Sequence, residues 1–348
     1  YFLTKDLSQL KGNVETIFEG LFSTSKASTV LIYWDNYNGL LEAPSILKLS
    51  SDGKGNVNNV SFSKYNTDLQ NSYDSFGLII SYAQVVKKYP LNQDSTDKDA
   101  ITNILKDMIN ISPSKGYGLI FGSHAESWIP SPKVKYQGRA LASTYGSQID
   151  ISDLNEALLN VSRKFDYILM DACMMGNIEV VYELQNTCDY FIGSPMEVPG
   201  VGFPYSTITP YLFSDNVADY TSKVCEAYST YHTNKGNWGN CIVVDCSQVS
   251  ALTFILKRYI EIYTQTPFDP SSLQPYFSSS TIGGAYRGLS YDILDFVNTI
   301  SDNKPLISFI DQLDKTIVAK SFSMSTTSSY PSFVDVDLST ICGMGMYI

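Results

Sequence analysis

The sequence is poor in histidine and in charged side chains. Its 348 residues include only two histidines, His124 and His232. Charged residues make up 17%, against roughly 25% in an average soluble domain, and 35 Asp and Glu outnumber 24 Lys and Arg, for a formal net charge of −11. Binding to a phosphate backbone requires clustered basic side chains, so we expect no nucleic-acid partner. Any chemistry that uses a histidine must use one of these two.

Long apolar runs and closely spaced cysteine pairs are also missing from the sequence. No segment approaches the roughly 20 apolar residues of a membrane-spanning helix, so no membrane span is predicted. The cysteines form no CxxC pair, which argues against a structural zinc site, and they lack the dense spacing of a disulfide scaffold. Most of them are predicted to be small buried hydrophobic side chains, and their disulfide state stays open. The six cysteines are Cys173, Cys188, Cys225, Cys241, Cys246 and Cys342.

Much of the polar surface is predicted to be neutral, because the chain has 25 tyrosines and many Ser and Asn residues. This composition is common in exported proteins. The sequence begins with Tyr rather than Met, so a targeting segment is expected to have been removed. We therefore expect a secreted or cell-surface protein.

Alternation of strand-like and helix-like segments predicts an α/β fold with a largely parallel sheet. Short apolar runs rich in β-branched and aromatic residues predict strands that are buried on both faces. These runs are Val30–Trp34, Tyr117–Phe121, Tyr167–Met170, Tyr190–Gly193 and Ile242–Val244. Amphipathic stretches predict helices over residues 7–21, 73–88, 97–109, 151–160, 175–185, 217–232 and 249–264.

Two further segments predict how the chain is organised. Ser51-Asp52-Gly53 lies between two strand-like runs and predicts a hairpin turn. Residues 265–280 contain three prolines and are the best linker candidate. We therefore predict a core over residues 1–264 and a C-terminal extension over 265–348, which packs on the core and is not an independent domain.

A histidine and a cysteine follow two of the predicted strands at equivalent places. His124 comes three residues after Tyr117–Phe121, and Cys173 comes three residues after Tyr167–Met170. In parallel α/β sheets ligands bind at the carboxyl ends of the strands. If the two strands are neighbours, roughly 4.8 Å apart, both side chains project into one crevice. The dipole of a helix that starts at about Met175 would lower the pKa of Cys173.

Such a Cys/His pair is suited to nucleophilic attack on a carbonyl group. The alternative is that each residue is structural, as a lone His or Cys near a strand end usually is. Their joint occurrence at equivalent strand ends favours the paired site. His232 lies in the last turn of a predicted helix, where it is expected to complement the helix dipole and contact the terminal carbonyls. His124 is then the candidate acid and base.

Three blocks occur in order along the sequence, and they contain Ser123-His124-Ala125-Glu126-Ser127-Trp128, Asp171-Ala172-Cys173-Met174-Met175-Gly176 and Gly202-Phe203-Pro204-Tyr205. These blocks resemble parts of clostripain-like cysteine peptidases. The first resembles the histidine-bearing strand end, which usually reads His-Gly-x-Gly-Trp in that family. The second is similar to the strand and helix of the nucleophile, and the third to the substrate-pocket loop. The resemblance runs from about residue 30 to about residue 300, and the spacing of His124 and Cys173 matches the roughly 50 residues noted for caspases.

The resemblance implies that the fold is a caspase-like α/β/α sandwich with a mostly parallel central sheet. It also implies that the protein is a bacterial cysteine endopeptidase. We expect it to be a monomer that acts on peptides or proteins. Cys173 would be the nucleophile, and His124 would protonate the leaving amine. The oxyanion hole would consist of the backbone N–H groups of Cys173 and Ala125. No cofactor is required; calcium dependence is suggested by the family alone, since no loop has EF-hand spacing.

The chain also departs from the family pattern. Ala125 and Ser127 replace two glycines, which alters backbone freedom at the oxyanion hole. In the family, two acidic residues in the S1 pocket select Arg or Lys; Asp171 matches one, but Val201 replaces the other. Glu197 either substitutes for the lost carboxylate or is simply solvated. Strict Arg or Lys specificity is therefore not expected, and a mixed or apolar S1 preference is the alternative.

Residues 125–150 form a long connection that contains Lys133, Lys135 and Arg139. Proenzymes of the family can be nicked in this region, whereas the simpler interpretation is that these charges solvate a loop. Two other functions stay open for the whole chain. One is a catalytically weak or inactive peptide-binding protein on the same fold. The other is a cysteine-dependent hydrolase or transferase that acts on a non-peptide acyl group.

Overall fold

The computed structural model describes residues 2–3, 10–35, 41–123, 125, 142–144, 147–265, 269–276, 290–301, 306–323 and 341–348. For residues 2–3, 142–144, 147–148 and 271 this description covers the backbone alone. The sequence predictions for His124, for Ser127 and for the charges of the 125–150 connection lie outside the described residues. Parts of the predicted 265–280 linker do as well.

The described chain contains both strands and helices. The strands are β1 (Phe2–Leu3), β2 (Ala27–Trp34), β3 (Ser45–Asp52), β4 (Asn56–Val57), β5 (Val60–Ser61), β6 (Gln84–Lys88), β7 (Gly118–Gly122), β8 (Ala142–Thr144), β9 (Ser147–Ile149), β10 (Phe165–Asp171), β11 (Cys188–Gly193), β12 (Gly239–Asp245), β13 (Ser290–Asp292), β14 (Ile317–Ser323) and β15 (Gly345–Tyr347). The helices are α1 (Lys11–Leu21), α2 (Phe62–Gln70), α3 (Ser75–Tyr82), α4 (Lys98–Ile111), α5 (Ile151–Asn160), α6 (Ile178–Leu184), α7 (Tyr205–Leu212), α8 (Val224–Lys235), α9 (Val249–Gln265), α10 (Ile293–Ile300) and α11 (Ile307–Thr316).

The main sheet is mixed, with a parallel centre. Its order is β14-β12-β11-β10-β7-β1-β2-β3-β4-β5, and β6 also pairs with β3. The five central strands, β11, β10, β7, β1 and β2, are mutually parallel. Each outer strand is antiparallel to its inner neighbour: β12 to β11, β14 to β12, β3 to β2, β4 and β6 to β3, and β5 to β4. All five strands predicted from the sequence overlap observed strands of this sheet, which confirms the α/β fold.

Helices cover both faces of the sheet, as the alternation of buried side chains in β10 shows. Ile168 and Met170 belong to one apolar cluster, which is shared with α4, α5, α6 and α9. Tyr167 and Leu169 belong to the other cluster, which is shared with α1, α7 and α8. Because successive residues of a strand point to opposite faces, the sheet is buried on both sides. The predicted three-layer α/β/α sandwich is confirmed.

Helix α4 illustrates how local sequence sets these elements. The Asp97 carboxylate accepts a hydrogen bond from the Ala100 N–H at 2.8 Å and so caps the first turn. Ile101, Leu105 and Met108 follow at helical spacing and are buried. The helix predicted over residues 97–109 is confirmed here.

One predicted helix was wrong over half of its length. Residues 73–88 were predicted to form a single helix, but α3 ends at Tyr82 and the chain continues as strand β6. Ala83 is already extended, and Val85 pairs with Leu47 of β3. β-Branched residues such as Val85 and Val86 fit a strand better than a helix. Pairing with β3 therefore decides the conformation.

The predicted division at the 265–280 linker stays a prediction, but residues on both sides of it share one sheet. Strand β14, which follows the linker, is antiparallel to β12, which precedes it. Strand β15 pairs with β13 in a small separate sheet. None of the described helices has the length and apolar character needed to cross a membrane.

A cavity of about 560 Å³ lies at the end of the sheet opposite Cys173. Its lining includes Ala27–Leu31 and Gly118–Ile120, the first halves of β2 and β7. Among the described residues, β1 lies between β2 and β7 and pairs with their last residues, as in Phe2 with Tyr33. The cavity is therefore separate from the carboxyl ends of the strands.

The close approach of Gly118 to Tyr167 generates a stability prediction. The two residues pair across β7 and β10, and a Cβ at position 118 would overlap the Tyr167 ring. The ring is buried and its hydroxyl donates to the Leu212 carbonyl, so it cannot move freely. We expect Gly118→Ala to lower the free energy of unfolding by about 1–3 kcal/mol in urea denaturation.

Gly12→Ala is the matched control, since a Cβ there would contact nothing within 4 Å. Alanine is the better helix former, so this change should leave stability unchanged or raise it by up to ~1 kcal/mol. Equal stability losses in the two variants would contradict the packing argument.

Candidate functional site

The carboxyl ends of β7 and β10 lie side by side. The two strands are parallel, and their register pairs Gly122 with Asp171. The Ser123 N–H donates to the Asp171 carbonyl at 3.3 Å, which extends the pairing by one step. His124 and Cys173 are the second residues after this register pair in the sequence. The predicted neighbourhood of the two strands is confirmed, and contact between the two side chains stays a prediction.

The turn that carries Cys173 is held by the loop after β11. The Met174 N–H donates to the Met196 carbonyl at 2.9 Å, and the Gly176 N–H donates to the Ser194 carbonyl at 2.7 Å. Met174 has a φ of 57°, in the left-handed region that few residues other than glycine occupy. The backbone around Cys173 is therefore tightly constrained by a neighbouring loop.

The sulfur of Cys173 accepts a backbone hydrogen bond. The Val198 N–H lies 3.3 Å from Cys173 Sγ. A donor directed at sulfur favours the thiolate form, whereas the Val198 carbonyl, 3.8 Å from Sγ, accepts the proton of the neutral thiol. Cys173 is half-buried, whereas the other five cysteines are buried. Burial also raises the pKa of the Cys188, Cys241 and Cys342 thiols.

The predicted helix start at Met175 was wrong. Helix α6 begins at Ile178, because Met174 is left-handed and Asn177 is extended, with φ −104° and ψ 149°. The dipole of a helix acts mainly within its first turn. The predicted effect of a helix start at Met175 on Cys173 therefore loses its structural basis.

Asp171 lies beneath the loop as a buried anchor. Its side chain is 4% exposed, and Asn13 Nδ2 and the Tyr205 hydroxyl each donate to Oδ2 at 2.8 Å. The Phe203 N–H also donates to the carboxylate. Burial nevertheless raises the pKa of Asp171 to about 6. The sequence had no signal for Asn13, which lies far from Asp171 along the chain.

Gly202 rests directly on this carboxylate. Its φ is 63°, and a Cβ would lie 2.8 Å from Asp171 Oδ2 and 2.9 Å from Asn13 Nδ2. Only glycine satisfies both the left-handed backbone and this close approach. The neighbouring Val201 is 50% exposed. The loop therefore covers Asp171 and presents Val201 to solvent.

Glu197, the third predicted pocket residue, is partly exposed on the same loop. Desolvation raises the pKa of its carboxyl group. Its backbone carbonyl accepts a hydrogen bond from Trp238 Nε1 at 3.3 Å. Asp171, Glu197 and Val201 thus belong to one structural unit, and their contact with a substrate stays a prediction.

His232 has a different role from the predicted one. It does lie in the last turn of α8, but its ring is fully buried and Nε2 lies 3.2 Å from the Gly202 carbonyl. Burial lowers its pKa to about 4, so the ring is neutral near pH 7 and cannot complement the helix dipole as a cation. His232 instead connects α8 to the loop over Asp171.

The backbone oxyanion hole predicted at Ala125 and Cys173 stays a prediction. Ala125 is 3% exposed, while His124 before it lies outside the described residues. Within the part of the chain that the structure describes, His, Cys, Asp and Glu side chains form no group of three or more that could hold a metal ion.

Comparison with known proteins adds a family and a fold. The model of the clostripain family matches residues 15–341. No curated protein sequence matches the chain. An inactive zymogen C11 protease from Parabacteroides distasonis is similar in structure, with 24% identity and a TM-score of 0.76 over 100% of this chain and 90% of that chain.

A secreted C11 cysteine protease from Bacteroides thetaiotaomicron, in complex with an irreversible peptide inhibitor, is also similar. It has 24% identity and a TM-score of 0.72 over 100% of this chain and 91% of that chain. At this level of identity the two structures establish a shared fold.

The buried carboxyl group of Asp171 generates a prediction for the pH dependence of stability. Between about pH 4 and pH 6 the folded chain keeps this proton and the unfolded chain releases it, so stability falls as the pH rises. The fall reaches up to about 3 kcal/mol by pH 7. We expect Asp171→Asn to remove this component when urea unfolding of both proteins is compared from pH 4 to pH 7.

Asp314→Asn, an exposed change on α11, is the control and should follow the wild-type pH profile. Parallel profiles for Asp171→Asn and the wild type would show that Asp171 does not carry the effect.

Proposed function

This chain belongs to the clostripain family of cysteine peptidases, and on that premise we propose that it is a cysteine endopeptidase that uses Cys173 as its nucleophile. One observation carries the proposal. Cys173 is a half-buried thiol whose sulfur accepts the Val198 N–H, at the end of a strand that is parallel to the strand leading to His124.

The proposed reaction proceeds in two steps. Cys173 gives its thiol proton to His124, Sγ attacks the peptide carbonyl to form a C–S bond, and the C–N bond breaks as His124 passes that proton to the leaving amine. His124 then accepts a proton from water, whose oxygen attacks the thioacyl carbon, and returns it to the sulfur as the C–S bond breaks, which releases the acid and restores the thiol. The N–H groups of Cys173 and Ala125 would stabilise the oxyanion, and loss of one such donor typically costs about 10²–10³ in rate. No cofactor enters either step.

We propose that the S1 pocket does not select strictly for Arg or Lys. Asp171 already accepts hydrogen bonds from Asn13 and Tyr205 and is covered by Gly202. Position 201, where the family has a second acid, is a partly exposed valine. Glu197 remains a carboxyl group on the same loop. A mixed or apolar residue at the cleavage site fits these side chains better than a strictly basic one.

The secreted relative from Bacteroides supports a proposed location outside the cell or on its surface, and its peptide inhibitor supports a peptide substrate.

The second candidate function is a weak or inactive peptide-binding protein, which Ala125 favours because the family has glycine there. Digestion of a proteome-derived peptide library, with and without calcium and reductant, tests activity and calcium dependence together. Binding without cleavage across the library would favour the second function.

The nucleophile assignment predicts the effect of removing one thiol. Cys173→Ala should lower kcat for peptide hydrolysis roughly 10⁴-fold or more, because the covalent intermediate is lost. Iodoacetamide should label Cys173 fastest, since the other thiols are buried. Turnover assays and peptide mapping by mass spectrometry provide the two measurements.

Cys188→Ala removes a buried thiol outside the site and should keep its activity. Equal labelling of several cysteines, together with unchanged turnover in Cys173→Ala, would contradict the assignment of Cys173 as the nucleophile.

The pocket assignment predicts a change of specificity. Val201→Asp should raise kcat/KM for substrates with Arg or Lys at the cleavage site roughly tenfold relative to Leu, because it restores a carboxylate beside a cationic side chain. Val201→Asn has the same size without the charge and should leave this ratio unchanged. If the two variants have the same ratio, position 201 does not face the substrate side chain.

A further inference from the structure

We propose that Asn177, held by the C-terminal strand β15, is a positioning residue that keeps the turn of Cys173 in its reactive conformation. The inference rests on the proposed function only in taking Cys173 as the nucleophile.

The turn itself needs support from outside. Met174, directly after Cys173, has a left-handed backbone that a long L side chain disfavours. Its N–H is held by the Met196 carbonyl. Its carbonyl accepts a hydrogen bond from Asn177 Nδ2 at 2.7 Å. Both backbone groups of Met174 are therefore held, the N–H by the Met196 carbonyl and the carbonyl by the side chain of Asn177.

The Asn177 side chain holds Met174 instead of capping helix α6. It occupies the N-cap position of α6, where an Asn side chain commonly accepts a backbone N–H from the first turn. Here it makes no capping hydrogen bond. Its Nδ2 points back to Met174, and its Oδ1 accepts the Ser290 hydroxyl at 2.6 Å. With 1% of its surface exposed, Asn177 has its amide fixed between the turn and β13.

Strand β15 closes over this arrangement from the other end of the chain. The Gly345 N–H donates to the Gly176 carbonyl at 3.0 Å, and Asn177 and Gly345 form an isolated parallel bridge. A Cβ at position 345 would overlap Asn177 Oδ1 and the Ser290 hydroxyl. Glycine at 345 therefore permits the contact between β15 and the amide.

A second contact anchors β15 beside the turn. The Tyr347 N–H donates to Glu179 Oε1 at 2.9 Å. Glu179 lies in the first turn of α6, two residues after Asn177. The C-terminal strand thus holds both the residue that supports Met174 and the helix that follows it.

Loss of the Asn177 contact should move the sulfur. The distance of 3.3 Å between the Val198 nitrogen and Cys173 Sγ depends on the conformation of the turn. If Met174 relaxes toward a right-handed or extended backbone, Sγ leaves this donor and the thiolate is less favoured. Alkylation of Cys173 at neutral pH should then slow, and kcat should fall while KM changes little.

The experiment measures the rate of iodoacetamide reaction at Cys173 from pH 5 to pH 9 by peptide mapping, alongside thermal unfolding. Asn177→Ala removes the donor to Met174, and Gly345→Ala displaces β15 from the amide. Both variants should react roughly tenfold or more slowly at pH 7, with the pH profile moved to higher pH. The double variant should be no slower than the slower single variant, since both changes act through one contact.

Asn58→Ala is the matched control. The Asn58 side chain makes three hydrogen bonds on the antiparallel side of the sheet, against the two described for Asn177. It donates to the Lys48 and Tyr82 carbonyls and accepts from the Ser50 N–H. Its loss should lower the unfolding temperature without changing the alkylation rate or its pH profile. Ser290→Ala removes only the bond to Oδ1 and should slow alkylation of Cys173 less than Asn177→Ala does. If Asn177→Ala folds poorly, Ser290→Ala and Gly345→Ala should still slow alkylation relative to the wild type.

Wild-type alkylation rates and pH profiles in folded Asn177→Ala and Gly345→Ala would overturn the proposal. So would slowing that Asn58→Ala matches. Because alkylation needs no peptide turnover, a protein that cleaves no peptide would fail the proposed function while this measurement still decides the role of Asn177.

Discussion

The parallel pairing of β7 with β10 is the constraint on which the rest of the site depends. Its register places Gly122 opposite Asp171 and brings the two chain segments that carry His124 and Cys173 out of the sheet at the same edge. Parallel strands bring their carboxyl ends together without any local signal from one segment to the other. The loop after β11, the next strand, then reaches the Cys173 turn through Ser194 and Met196. Three neighbouring strands thus supply the backbone of the site.

A buried carboxylate organises the loop above this edge. Asp171 accepts hydrogen bonds from α1, through Asn13, and from the start of α7, through Tyr205, while Gly202 lies against it. An unpaired buried charge is costly, so each of these donors lowers the cost of keeping the carboxylate there. The raised pKa of Asp171 shows that the cost is only partly offset. The same contacts already occupy the Asp171 carboxylate, which is the reason for proposing that the loop does not select strictly for a basic side chain.

Local patterns predicted the regular elements well and their ends poorly. Short apolar runs in β7, β10 and β11 are strands because both faces of the sheet are covered. Helix α4 was predicted because its capping Asp97 and its buried apolar residues lie within one short segment. Strand β6 was missed because pairing with β3 overrides an amphipathic pattern. The start of α6 was misplaced because the left-handed Met174 is held by distant partners. His232 was placed correctly on its helix, but its contact with Gly202 depends on a loop that is remote in the sequence.

The sequence by itself determined the α/β class, the family and the two residues proposed for the chemistry, because each of these depends on short motifs and on local periodicity. Only the tertiary structure decided which groups surround them. The donor to the Cys173 sulfur, the cover over Asp171 and the contact of β15 with Asn177 all join residues that are far apart along the chain. Such contacts depend on strand order and on backbone geometry at Met174 and Gly202, which no local pattern specifies.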